Sequence, residues 1–339
     1  MNWGWWALGS LAVLAAALAV SLLAYQALST RRDRRRYPPL GRLVPVGDCR
    51  LHIHCIGEAV PTVVLEAGLP ATCLSWWYVQ RAVAAFARVA SYDRAGLGWS
   101  DPGPNPRTTR RIIEELHTLL DRAGIPPPYV LVGHSFGGFT ARLYTATYPE
   151  EVVGMVLVDS LLPEEWWPPS AEQYRQLAAA ARRARRTGHL AQFALFRLYL
   201  GLISRSLVRP QVRSDWVETF KKLPRELLPV LQAFWSQPKP FYALASQLES
   251  LPDSARQVAE AGDRLGELPL VVLSAGNATS VRRLAHESLA RSSTRGRHLV
   301  ATASGHWIQL DQPELVVAAI RSVVEAARQH ARMVTGLVQ

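Results

Sequence analysis

Gly133-His134-Ser135-Phe136-Gly137 lies between an apolar run, Tyr129-Val130-Leu131-Val132, and a helical stretch over 136–148 that Pro149 stops. A strand that must turn into a helix within five residues can be built in few ways. The turn is sharp, so Gly133 and Gly137, with Gly138 behind them, must let backbone approach backbone where a Cβ would intrude. A serine at the apex then stands above the sheet edge, at a helix N-terminus whose free N–H groups and dipole favour developing negative charge. G-x-S-x-G alone recurs by chance; strand before and helix after are the context a nucleophile elbow needs. A glycine-rich turn with an incidental serine explains neither flank.

The rest of the chain repeats the alternation. Short apolar runs at 62–65, 88–92, 152–158, 270–273 and 298–301 read as buried strands. Helical spacing appears over 75–87, 109–123 and 312–329; in the second, Ile112, Ile113, Leu116, Leu119 and Leu120 share one face before Gly124. Residues 42–56 alternate around Gly47-Asp48 as a β-hairpin. The pattern predicts an α/β fold with a mainly parallel, doubly wound sheet of about eight strands, covered on both faces. At 339 residues and 49% hydrophobic content the chain can build one large core with additions. From 161 to 268 no buried strand is evident, and Trp166-Trp167, an Ala/Arg-rich helix and the aromatic–aliphatic stretch 193–203 indicate a helical insertion.

Residues 1–30 carry no charged side chain, and a membrane-spanning helix needs about 20 apolar residues. Trp3, Trp5, Trp6 and Tyr25 lie near the ends, where interfacial aromatics belong. A cleaved signal would carry its basic residues first and a shorter apolar core; here Arg31 to Arg36 follow it. The expected organisation is a transmembrane anchor (1–30), a basic linker with Pro38-Pro39 (31–41), a core (42–160 and 269–339) and a cap (161–268). The arginines after the anchor place the core on the cytoplasmic side. The net charge of +11 gathers in clusters at 31–36 and 182–186. No zinc-finger spacing or RNA-binding signature accompanies it, so the expected partner is a bilayer and not nucleic acid. Cys49, Cys55 and Cys73 make neither a disulfide framework nor a C-x-x-C pair, and no metal or cofactor is expected.

Beyond Gly133–Gly138, three stretches carry a resemblance: Thr62-Val63-Val64-Leu65-Glu66-Ala67-Gly68, Ser91-Tyr92-Asp93-Arg94-Ala95-Gly96-Leu97-Gly98-Trp99-Ser100-Asp101, and Ser304-Gly305-His306. In these the chain resembles the α/β-hydrolase superfamily, in its capped esterase/lipase-like branch, from about Leu43 to the last helix apart from most of the cap. The resemblance implies Ser135 as nucleophile and His306 as its base, in the chain order serine, acid, histidine. His52, His54, His134 and His286 lack His306's position between a strand end and the last helix, and the His134 side chain should point elsewhere in so tight a turn. Many relatives carry the acid after the strand at 270–273, but Ser274 to Ser280 contains no carboxylate. Asp159, ending the run 152–158, sits where certain relatives such as haloalkane dehalogenases carry theirs, and is the expected acid; Asn277 is the alternative. The expected oxyanion donors are the backbone N–H groups of Phe136 and Leu69. Glu66, Asp93 and Arg94 are read as organising residues.

The resemblance implies a serine hydrolase that cleaves small-molecule carboxylic esters through an acyl-enzyme. Trp166, Trp167, Phe193, Phe196, Tyr199, Phe234 and Trp235 give the cap apolar surface suited to lipophilic esters, lipids included, with ordinary packing as the plainer reading. Dehalogenases and soluble-type epoxide hydrolases use Asp at the elbow, so Ser135 argues against both. Thioesterase, peptidase and cofactor-free haloperoxidase chemistry share the serine. A non-catalytic hydrolase-like binding protein is the reading that the missing carboxylate after 270–273 supports.

Overall fold

In the computed structural model, residues 3–204 and 221–336 are described. Eight strands form one sheet: β1 (Arg42–Val46), β2 (Cys49–Ile56), β3 (Thr62–Glu66), β4 (Val89–Tyr92), β5 (Tyr129–His134), β6 (Val152–Val158), β7 (Leu270–Ala275) and β8 (Gly296–Ala301). Their order is β1-β2-β4-β3-β5-β6-β7-β8. β1 and β2 pair antiparallel, as do β2 and β4, and all later pairs are parallel.

Period-two alternation divides the core. Along β5, Val130 and Val132 join a cluster with Val156, Trp76, Ile320 and Val324 on one face. Tyr129 and Leu131 join Leu116, Phe139, Tyr144 and Met155 on the other. Every residue of β5 is buried, which requires helices on both faces. Those helices are α2 (Trp77–Val83), α3 (Thr109–Arg122), α4 (Gly137–Thr147), α10 (Ser280–Ala290), the short α11 (Ile308–Asp311) and α12 (Pro313–Gly336). Thr108 caps α3 by accepting from Arg111 N, and Thr279 caps α10 by accepting from Arg282 N.

The N-terminal helix departs from its expected end. α1 (Trp3–Arg36) runs through the whole arginine cluster, so the basic part of the expected linker is helical and the connection shortens to 37–41. Arginine is a good helix former, and nothing breaks the helix before Pro38. Asp33 on this extension pairs with Arg197.

Between β6 and β7 the described residues hold α5 (Ala171–Gln192), α6 (Leu195–Ser204), α7 (Leu228–Trp235), α8 (Lys239–Glu249) and α9 (Leu251–Ala261), with no strand among them. Polar ties fasten them to the core. Lys239 Nζ donates to Gly98 O at 2.7 Å and Ser100 O at 2.6 Å. Arg107 N donates to Ser246 Oγ and Thr109 N to Ser254 Oγ, both at 3.1 Å. The aromatic residues here largely pack on one another or on the core. Phe196 and Trp235 meet Phe241 at 5.1 and 5.4 Å, and Phe234 meets Trp99 at 4.9 Å.

Candidate active site

Ser135 occupies the left-handed region at φ 53°, between the end of β5 and the start of α4. A non-glycine residue is held there only by its surroundings. Ser135 N donates to Val158 O at 3.0 Å, and its own carbonyl accepts from Gly138 N and Leu161 N, both at 3.0 Å. The glycines are needed for space: a Cβ on Gly133 would lie 2.4 Å from Gly137 O, and one on Gly137 would lie 2.4 Å from Glu66 O.

Asp159 directly follows β6 and is also left-handed, at φ 40°. Its Oδ2 lies 2.6 Å from His306 Nδ1, and its Oδ1 accepts from Ala275 N at 3.2 Å. The carboxylate therefore reaches across the end of β7, and no acid is needed in the loop that follows. Asn277 in that loop is exposed, and His306 Nδ1 is already occupied by Asp159. Burial opposes charge on Asp159, but the His306 hydrogen bond, the imidazole's charge, Arg282 and the Ala275 N–H outweigh it and hold the carboxyl below its usual range. Because a carboxylate only accepts, it fixes the proton on Nδ1 and leaves Nε2 free to act as a base. Among the described residues Ser135 Oγ is not hydrogen-bonded to the His306 ring, and Ser135 is 7% exposed.

Two residues to which the sequence reading gave no role at the site shape this pair. Arg282, on the first turn of α10, lies 3.7 Å from Asp159 Oδ1, donates to Ser160 O at 2.9 Å and pairs with Glu165. His134 lies beside the site and is not idle: its Nε2 donates to the His306 carbonyl at 2.9 Å, and its ring stacks obliquely on His306 and Trp307 at 4.7 and 4.8 Å. Burial, and then the nearby His306 charge, lower its pKa to about 3, so it stays neutral.

The loop after β3 is held from behind. Arg94 donates to Glu66 Oε1 at 2.6 Å, Ala67 O at 2.7 Å and Gly68 O at 2.6 Å. Tyr92 OH donates to the other oxygen of Glu66. The Gly68–Leu69 peptide is not among the cis bonds, so its carbonyl and the Leu69 N–H point in opposite directions. With Gly68 O clamped toward Arg94, the Leu69 N–H is directed away from it. Gly68 borders the apex, since a Cβ there would lie 3.0 Å from Ser135 Cβ. Glu66 is buried, and desolvation raises its pKa against the opposing pull of Arg94 and Tyr92.

Asp93 ties a second loop. It accepts from Cys73 N at 2.9 Å and Trp99 N at 3.1 Å, and its Oδ2 lies 2.9 Å from His52 Nδ1. His52, Cys73 and Asp93 bring ligand-type atoms within 4.8 Å of one another, a grouping that separate cysteine and histidine inspection did not reveal. Both Asp93 oxygens are already acceptors, so the trio serves as a buried clasp joining β2 to the loops after β3 and β4.

Comparison with known proteins agrees with this architecture. The model of a family described as the alpha/beta hydrolase fold matches residues 61–313. An AB hydrolase superfamily protein of Gibberella zeae is 25% identical over 283 residues, covering 79% of this chain and 87% of that protein. A thermophilic esterase from Thermogutta terrifontis superposes with a TM-score of 0.63 at 23% identity, covering 84% of this chain and 98% of the esterase. An epoxide hydrolase from Vigna radiata reaches 0.66 at 14% identity, covering 84% and 97%. The two solved structures bear names of different reactions, so their likeness speaks to the fold alone. The sheet order, the elbow at Ser135 and a family match over most of the length lead to one conclusion: this chain belongs to the α/β-hydrolase family.

Proposed function

We propose that the protein is a serine hydrolase of carboxylic esters, acting through an acyl-enzyme on Ser135. The reading rests above all on the Asp159–His306 contact of 2.6 Å beside the left-handed Ser135. His306 Nε2 takes the hydroxyl proton as Ser135 Oγ attacks the acyl carbon. Asp159 keeps the proton on Nδ1 and stabilises the imidazolium. The oxyanion forms against the N–H groups of Phe136 and Leu69, the second aimed by Arg94. Collapse expels the alcohol, which His306 protonates, and an activated water then frees the acid. The serine at the apex favours this chemistry over that of the epoxide hydrolase neighbour.

A fluorophosphonate probe should label the wild-type protein and leave Ser135→Ala unlabelled. Asp159→Asn should lose about 10³–10⁴-fold in kcat, while Asn277→Ala keeps nearly full activity. Labelling that survives Ser135→Ala, or full turnover in Asp159→Asn, contradicts the assignment.

The substrate class and location belong to the same proposal. Among the described residues one helix, Trp5–Arg36, is long and apolar enough to cross a membrane; an 18-residue window within it has a mean hydropathy of 2.3. We read it as an anchor with the catalytic domain on the cytoplasmic side, by the bias of Arg31 to Arg36. An active site held beside a bilayer suits lipophilic esters. Hydrolysis confined to short water-soluble esters argues against that substrate class, and digestion of the domain by protease added outside intact cells argues against the sidedness.

A further inference from the structure

The anchor helix and the helical insertion meet at a particular height. From Trp3 through Tyr25 no described side chain of α1 is buried, and Gln26 is the first that is. That stretch is about 34 Å long at 1.5 Å per residue, against a hydrocarbon core of about 30 Å. Burial of α1 therefore begins where a bilayer-spanning length has been used up. Gln26 Nε2 donates to Ser236 O at 2.8 Å, at the end of α7. Arg197 of α6 donates to Gln26 Oε1 at 2.9 Å and to Asp33 Oδ2 at 2.7 Å. Those bonds hold α6 level with the first two turns that follow the apolar span.

At that height α6 turns a greasy face outward. Leu195, Leu198 and Leu202 follow the i, i+3, i+7 spacing of one helix face and are 44%, 44% and 41% exposed. Phe196 turns inward onto Phe241. The one charged residue of α6, Arg197, is consumed by α1. On α1, Arg31, Arg32, Arg35 and Arg36 are exposed at the same level, as anionic headgroups require. In water three exposed leucines on one short helix only cost free energy; at a membrane boundary they are driven in.

We infer that α6 is a second membrane-contacting element, lying along the surface of the bilayer that α1 crosses with Leu195, Leu198 and Leu202 in the acyl–headgroup boundary. The inference rests on the reading of α1 as a membrane anchor. It makes the insertion itself the part of the molecule that touches lipid.

The test uses full-length protein carrying Cys55→Ser, which removes the exposed thiol; Cys49 and Cys73 are buried. Single substitutions Leu14→Cys in α1, Leu198→Cys in α6 and Tyr174→Cys on the exposed side of α5 are labelled with bimane. The proteins are reconstituted into vesicles of phosphatidylcholine and phosphatidylglycerol containing doxyl-labelled lipid. Positions 14 and 198 should be quenched several-fold more than position 174. Quenching at 14 with none at 198 overturns the placement of α6 and leaves the anchor standing. No quenching at 14 overturns the anchor, and the inference with it. As a second measurement, Leu198→Ser combined with Leu202→Ser should lower turnover of a vesicle-embedded ester several-fold while sparing a short soluble ester. Equal turnover of both esters would count against α6 as a lipid contact.

Discussion

His134 holds the backbone of His306 with an imidazole that is 1% exposed and neutral. Its pKa of about 3 in the fold lies below the ordinary imidazole value of 6.5, so the unfolded chain binds a proton that the folded chain refuses. The resulting stability is whole above pH 6.5 and is lost as pH falls toward 3; at pH 5 the loss is about 2 kcal/mol. Denaturation midpoints measured across that window should fall less steeply in His134→Gln, whose amide can still reach the carbonyl; parallel slopes would show that His134 does not set the acid limit. Arg94 offers a different experiment. Its planar fork grips two successive carbonyls and Glu66, and lysine cannot reproduce that geometry. Arg94→Lys should lower kcat about 10–100-fold with little change in KM, by loosening the Leu69 amide. An unchanged kcat would separate the clamp from catalysis. At this scale the local geometry was legible where it has a local pattern, as in the strand–turn–helix around Ser135 and the strand end at Asp159. Arg282 was not readable, because a cation on a helix has no local pattern that names its partner across the sheet. Nor was the grip of His134 on His306, which depends on two segments 172 residues apart.

Among the elements, the elbow is the least forgiving. A methyl on Gly137 would press on the Glu66 carbonyl, which is backbone of the neighbouring strand and cannot swing aside. Gly137→Ala should destabilise the fold by about 1–3 kcal/mol, read as a lower urea midpoint with an unchanged m value. A midpoint equal to wild type would mean that the turn has slack. Strand positions were legible in the sequence because β5 and β6 are apolar nearly throughout, as strands buried on both faces must be. Helix ends were less so. Residues 75–87 divide into a 3₁₀ turn at Cys73–Trp76 and the short α2, since buried Trp76 and Val79 are fixed by tertiary contacts that spacing does not encode. The continuation of α1 through six residues, five of them arginine, was likewise hidden: a charged run reads as a linker until something such as Asp33–Arg197 gives it a surface to rest on.

On the scale of the whole molecule, the parallel sheet and its split core were foreseeable from alternating strand and helix patterns, and the family match over residues 61–313 agrees with them. The way the insertion meets α1 was not, because it depends on single polar bonds among Gln26, Arg197, Asp33 and Ser236. Those bonds also fasten α1 to the insertion where it enters the body of the protein. A domain on a supple tether samples a volume of solvent, whereas one rigidly mounted on a spanning helix samples only a plane. On the proposed anchoring, the quantity that governs its rate is the mole fraction of ester in the membrane. Adding inert phospholipid at constant total ester should therefore slow turnover in proportion. A rate that ignores this surface dilution would mean that substrate arrives from the water.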